Sequence, residues 1–376
     1  MNSFPLRPRP HRHACQRQPI ARCFALSYAE ARQKFLTAAR QAGATLTEFP
    51  HPTETGSEGE VLAIDVAWIG AVDTSRVLMI TSGTHGAEGF CGSGAQVALL
   101  GDTALHAECR QAGFALLLVH AVNPYGFSHL RRVNEDNVDL NRNFMDFDQP
   151  LPTNAPYAEV APLLLPAHWP ASDADQAALM KIAAERGMGW YQAAVSAGQY
   201  RDPGGLFFGG QKPTWSNYTL RRILARFGTD RQALRWIDIH TGLGPWGYGE
   251  PIYMGPDEPA QIAKAREIWG PCVTSIYDGS STSANLTGLA WQAVPQTLGT
   301  IDYAGIALEF GTLPLAEVLD ALRGDHWLYR HPEADENQRA LIKHAVWRAF
   351  YGDADDWRDG VVAQVLEAVR KGVGIA

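Results

Sequence analysis

No stretch of this chain approaches the ~20 consecutive apolar residues needed to span a bilayer, and its first residues lack the apolar core, roughly 7–15 residues long, of a secretion signal. A membrane role is not expected, and a cytoplasmic location is. Cysteine is scarce: five residues (Cys15, Cys23, Cys91, Cys109, Cys272) are scattered over 376 positions, odd in number and without a CxxC pair. That argues against a disulfide-stapled domain and for a reducing compartment. Positive charge is not in excess either. With 32 Lys and Arg against 40 Asp and Glu, the net charge is −8, which leaves no basic footprint for nucleic acid. Internal repeats and Gly/Ser linkers are also missing after residue 25.

What the chain does have is apolar content, 46%, punctuated by 36 Gly and 23 Pro, which suits a large folded core with many turns. The first 24 residues, rich in Pro, Arg and His without apolar period, are expected to form a disordered extension. Residues 25–376 are expected to form one domain. A helix is expected from Ser27, where Glu30 completes a capping box and Phe35, Leu36 and Ala39 follow helical spacing. Apolar runs at 61–69, 76–82, 114–122, 235–240 and 305–310 read as strands, several of them continuous in Val, Ile and Leu as in a sheet covered on both faces. Helical patterns at 92–112, 172–199, 215–228, 257–270, 314–323, 335–351 and 354–371 separate or follow them. The class is therefore α/β, a mixed, mostly parallel sheet flanked by helices on both faces. The Pro-rich stretch 147–171 reads as a surface excursion.

Chemistry-bearing residues gather at the ends of these strands. TSGTHGAEGFCGSG at 81–94 runs from a strand into a Gly-rich loop and puts His85 and Glu88 three positions apart, a spacing at which imidazole and carboxylate can bind one tetrahedral metal ion. His240 closes RWIDIH, with Asp238 on the same strand face to orient its ring. Glu309 lies at the end of GIALEF. Taken singly, H-x-x-E is a common pattern, and a strand-end His is more often structural. Together they fall where ligands bind in open α/β sheets, beyond the carboxyl ends of the strands. Between them, NPYGFSHLRRVNEDNVDLNRNF at 123–144 carries Arg131, Arg132 and Arg142, able to polarise a carbonyl or clamp a carboxylate, with Asn141 and Asn143 as neutral donors.

The order HxxE, NPxGxxxxxR, DLNRNF, strand-end His, strand-end Glu resembles the zinc carboxypeptidase superfamily. From about residue 24 to 376 it is similar to an uncharacterised bacterial branch of it, a domain of unknown function. The resemblance implies one Zn²⁺ ion held by His85, Glu88 and His240, with Glu309 as the catalytic carboxylate. It implies Arg132 at the scissile carbonyl, with adjacent Arg131 the alternative by one residue, and Asn141 with Arg142 on the substrate's free carboxylate. Similar residues serve the aspartoacylase and succinylglutamate desuccinylase branch. The substrate so implied is a small peptide or an N-acyl amino acid, hydrolysed by zinc-activated water. Two features depart from the family pattern: Tyr125 stands in NPYG where Asp is common, and the Glu88 to His240 separation is long, its extra chain placed to roof or narrow the pocket. Tyr248, Tyr253, Tyr277 and Tyr303 all remain open as a phenol closing over substrate, and Trp246 as a pocket wall.

Other chemistries fit less well. CGSG at 91–94 lacks the flanking glycines of a nucleophile elbow, since Cys stands at 91 and Ala at 95. A non-catalytic metal-containing binding protein would usually have lost one ligand or the carboxylate, and all four are present.

Overall fold

The structure is a computed structural model that describes residues 20–375. Most of the expected N-terminal extension therefore lies outside the described residues. Its last part does not stay apart from the fold: Ile20–Cys23 form a short 3-10 turn and Phe24 is buried in the core.

The chain begins with helix α1 (Tyr28–Gln41), where Ser27 Oγ accepts from the Glu30 backbone N–H as the capping pattern predicts. Strands β1 (Thr45–Thr55), β2 (Val61–Ile69) and β3 (Arg76–Ser82) follow, then helices α2 (Gly89–Gly101) and α3 (Thr103–Gln111), strand β4 (Phe114–His120) and the short helix α4 (Pro124–Ser128). Helices α5 (Ala155–Leu164), α6 (Asp173–Arg186), α7 (Met188–Ser196) and α8 (Trp215–Gly228) precede strands β5 (Ala233–Trp246) and β6 (Gly249–Tyr253). The chain ends with α9 (Pro259–Trp269), α10 (Ala293–Leu298), β7 (Asp302–Gly311), α11 (Leu315–Arg330), α12 (Glu336–Phe350) and α13 (Asp355–Gly372).

The strands form one seven-stranded sheet in the order β1-β2-β4-β3-β5-β7-β6. Its four central strands are parallel, while β1 and β2 on one side and β6 on the other run antiparallel to their neighbours. Alternation along the strands divides the core. Leu78, Ile80, Ile237 and Ile239 pack under α1, α2, α9 and α13. Val77, Met79, Leu234 and Trp236 point the other way, toward α8 and α10. A third cluster gathers α5, α6, α7, α11 and α12, including Leu164, Leu179, Val195, Leu322 and Phe350.

Several expectations are modified. The Pro-rich excursion contains α5, which starts with Pro156 in its first turn, a position where a missing N–H costs nothing, and which tolerates Pro162 further on. The expected helix 172–199 is broken at Gly187, whose φ of +90° no β-carbon residue adopts readily. The helix at 92–112 is likewise divided at Asp102, which caps α3 by accepting from the Leu105 N–H. Strands β1 and β6 were not expected. Both carry proline (Pro50, Pro52, Pro251) and both occupy edges, where a missing donor faces no partner strand.

Candidate metal centre

His85 leaves the carboxyl end of β3 through a turn in which Gly83 adopts φ +62°, and Glu88 follows in a 3-10 turn. This loop is stitched to the loop after β4: the Gly86 and Ala87 N–H groups donate to the carbonyls of Arg132 and Arg131 at 3.1 and 2.8 Å. A Cβ on Gly86 would overlap the backbone of Gly126, so the close approach of the two loops requires glycine there. His240 sits within β5, which continues to Trp246, and its register partner on β7 is Glu309. Side chains of parallel register partners share a face, so both reach the same space at the carboxyl edge of the sheet.

The rings converge on Glu88. His85 Nδ1 lies 2.8 Å from Glu88 Oε1, and His240 Nδ1 lies 3.0 Å from Oε2. Ligand atoms of the three residues all fall within 4.8 Å of one another, and all three residues are buried. Each ring is backed by a further carboxylate. His240 Nε2 is 2.7 Å from Asp238 Oδ2, whose oxygens also accept from the hydroxyls of Thr81 and Thr84. His85 Nε2 is 3.2 Å from Asp139 Oδ1. Carboxylates behind metal-binding imidazoles fix the tautomer and raise ligand basicity.

This donor set suits a cation. With both of its ring nitrogens against carboxylate oxygens, the His240 imidazole is satisfied only by carrying two protons or by a metal ion on its Nδ1 side. Burial works against a charge on His240, but Asp238 and Glu88 outweigh it and push the ring well above its usual value. For Glu88, burial is outweighed by His85 and His240, which hold the carboxyl well below the ordinary range. The cluster therefore gathers carboxylates and imidazoles that positive charge must reconcile, and two His with one Glu are a common zinc set.

Arg132 reaches this centre: its Nε donates to Asp139 Oδ2 and its Nη1 to Glu88 Oε1, both at 2.9 Å, while Nη2 lies 2.8 Å from His85 Nε2. Arg131 does not. Its guanidinium turns away to Asp325, 2.9 Å from Oδ2, and to Asn137, and stacks over Tyr329. Of the two adjacent arginines, Arg132 therefore lies at the centre, whereas Arg131, expected among the substrate-binding residues, has its donors committed to the buried Asp325 carboxylate and to Asn137.

Glu309 Oε1 accepts from the Leu243 N–H at 3.0 Å. Burial, and then the charge of Glu88, push its carboxyl up to about 8. Arg142 is 2% exposed. It donates to the carbonyls of Ser196 at the end of α7 and of Asn141, with Asp139 no closer than 3.9 Å. Burial lowers its affinity for a proton, only partly offset by Asp139. Asn141 Oδ1 accepts from the Ala290 N–H. Asn143 takes a structural role instead, its amide donating to the Gly209 and Lys212 carbonyls.

His85, Arg132, Asn141, Arg142, His240 and Glu309 open onto one cavity of about 1180 Å³. The chain between Glu88 and His240 contributes to its walls through α6 and α7. Of the four tyrosines open from the sequence, only Tyr253 lines it, with its hydroxyl donating to the Pro256 carbonyl. Tyr277 bonds the Gly255 carbonyl, and neither Tyr248 nor Trp246 reaches the cavity. Asp139 is the residue that sequence reasoning passed over. It stands inside DLNRNF with no local mark of its role, because its partner His85 is 54 residues away.

No helix among the described residues is long and apolar enough to cross a membrane. Among solved structures, the chain is similar to carboxypeptidase A from Helicoverpa armigera (15% identity, TM-score 0.43, covering 86% of this chain and 74% of that one). It is also similar to bovine thrombin-activatable fibrinolysis inhibitor (12%, 0.45, 93% and 96%) and to glutaminyl cyclase from Macrostomum lignano (11%, 0.37, 95% and 88%). No curated protein sequence matches it significantly. A family profile matches residues 24–364, nearly the whole chain, and the protein accordingly belongs to the family described as "Protein of unknown function (DUF2817)".

Proposed function

We propose that the protein is a zinc-dependent hydrolase of amide bonds lying next to a free carboxylate, acting on small peptides or N-acyl amino acids. The observation that carries this reading is the convergence of His85, Glu88 and His240 within 4.8 Å, beside Glu309 and Arg132 at the base of one cavity. His85 and His240 would hold the ion through Nδ1, and Glu88 through its carboxylate. When bound, zinc supplies Lewis acidity toward a carbonyl oxygen and lowers the pKa of water.

The chain's own residues do the rest. Glu309 takes a proton from the attacking water and returns it to the departing amine nitrogen. Arg132 steadies the negative charge that develops on the carbonyl oxygen. Arg142 is a buried cation that meets mainly backbone carbonyls, a state that favours an incoming anion, and with Asn141 it receives the substrate carboxylate. Peptidase and deacylase activity share these roles and differ in what occupies the acyl side.

A hydrolysis screen over N-acyl amino acids, dipeptides and longer peptides tests the reading. Cleavage that stops on chelation and resumes with Zn²⁺ supports it. Cleavage indifferent to chelator, or none across the panel, contradicts it.

A further inference from the structure

The cavity extends well beyond the polar residues of the metal centre, and its remaining walls are largely apolar. Leu179 of α6, Val195 of α7, Leu322 of α11 and Ile342 of α12 are buried along them. Among the described residues, eleven large apolar side chains are exposed, and four of these, Met180, Met188, Leu315 and Leu341, line this one cavity. Their exposures run from 48% for Leu315 to 72% for Leu341. Exposed apolar side chains clustered on the rim of a deep cleft mark a surface that a ligand covers. Of the charged and ionisable groups in the wall, Arg323 pairs with Asp320 at 2.9 Å and bonds Gln176 and the Leu163 and Leu164 carbonyls, while Glu317, His344 and Arg348 are exposed to solvent. At about 1180 Å³ the space exceeds the roughly 300–1,000 Å³ usual for small-molecule sites, and one amino acid with its amide fills a small part of it.

Resting on the amide-hydrolase reading, we infer that the substrate is an N-acyl amino acid whose acyl group is a medium or long aliphatic chain. The carboxylate lies at Arg142 and the amide carbonyl between Arg132 and Glu309. The chain runs outward between α6–α7 and α11–α12 past Met180 and Leu341. A peptide on the acyl side would bring an N–H and a carbonyl with every residue, and a mostly apolar wall, with Gln176, Gln192 and Gln338 as its main amide side chains, offers partners to few of them. An aliphatic chain asks for none. Met180, Met188, Leu315 and Leu341 line the same cavity as Glu309, which favours a substrate chain over a flat membrane surface. In the reaction, the amide C–N bond breaks, the water oxygen joins the acyl carbon, and the two water protons are shared between the amine and the new acid. The products are a fatty carboxylate and a free amino acid, and no oxidant or reductant is consumed.

The test is a series of N-acetyl-, N-butanoyl-, N-octanoyl- and N-dodecanoyl-alanine, with two readouts on the full chain: binding to the metal-free protein by calorimetry, and kcat/KM of the zinc-loaded protein. Both are expected to rise with chain length by up to about fourfold per methylene, the factor that ~0.8 kcal/mol per buried CH₂ represents, and hence by up to roughly 250-fold from butanoyl to octanoyl. The surface substitutions Met180→Asp and Leu341→Asp together should cut the octanoyl-to-acetyl ratio at least ~10-fold. Affinity and turnover that are flat or falling with chain length would overturn the inference, and brisk cleavage of acetyl-alanine or peptides alongside would leave the hydrolase reading standing. Binding that climbs with chain length without any hydrolysis would retain the acyl-chain cavity and sink the hydrolase reading.

Discussion

His240 and Glu309 are register partners on the adjacent parallel strands β5 and β7, so a metal-ligand candidate and the proposed proton carrier are held by one backbone ladder. Neither depends on a loop for its direction. Strand-borne groups are held more tightly than loop-borne ones, and a reacting geometry tolerates errors of only about half an ångström.

Glu309→Gln keeps the shape and the acceptor for the Leu243 N–H but removes the proton carrier. Bound zinc should be retained while turnover falls at least ~100-fold. Metal analysis and kcat on the same preparation check this, and near-normal turnover removes Glu309 from the role.

Asp139 and Asp238 act through the rings they touch. Asp139→Asn and Asp238→Asn should each weaken zinc affinity by about 10–100-fold, measured by competition with a chelating dye, because the negative charge behind the imidazole is lost and a single acceptor oxygen is left for the ring and the other groups that now share the carboxylate. Unchanged affinity would make these carboxylates ordinary buried ion partners.

Arg142→Lys replaces a planar fork with a point charge. On a substrate with a free carboxylate, kcat/KM should drop by about 10–100-fold, carried mainly by KM, and the corresponding carboxamide should be insensitive to the change. Equal losses on both substrates would assign Arg142 to holding the end of α7 through Ser196 rather than to substrate.

Asp325 is enclosed by Arg131 and Lys343, at 2.9 and 2.7 Å. Burial opposes its charge, but the two cations outweigh burial and hold the carboxyl well below the ordinary range. With a folded value below the unfolded one, the stabilisation is present above the ordinary aspartate value of about 3.9 and is lost as pH falls toward the folded value. Asp325→Ala leaves the buried Arg131 and the half-buried Lys343 without their carboxylate and should cost about 3–5 kcal/mol in urea unfolding at neutral pH. A loss under about 1 kcal/mol would mean that water or a new partner replaces the carboxylate.

How far the sequence reaches is visible residue by residue. Val61–Ile69, Arg76–Ser82 and Trp215–Gly228 match their expected bounds, because continuous apolar runs and an amphipathic period are local signals. The continuous run of β2 nevertheless belongs to an antiparallel strand, since burial on both faces, not strand direction, produces that pattern. Edge strands β1 and β6 escape notice because proline suppresses the strand signal where only one side needs pairing. In the site, His85, Glu88 and His240 are legible because each follows or closes an apolar run, although β5 itself continues past His240 to Trp246. The choice between Arg131 and Arg132 is not, because it depends on Asp325, which sits 194 residues further along the chain from Arg131. Long-range partners of this kind leave no trace in local spacing.

The most direct test of the metal centre is zinc content and hydrolysis of an N-acyl amino acid, measured together on the purified chain before chelation, after chelation and after zinc is restored. Close to one zinc per chain is expected, with hydrolysis lost on chelation and regained on reloading, and with both absent in His240→Ala. A chain that binds no zinc with His85, Glu88 and His240 intact, or that hydrolyses its substrate equally well in excess chelator, would contradict the assignment.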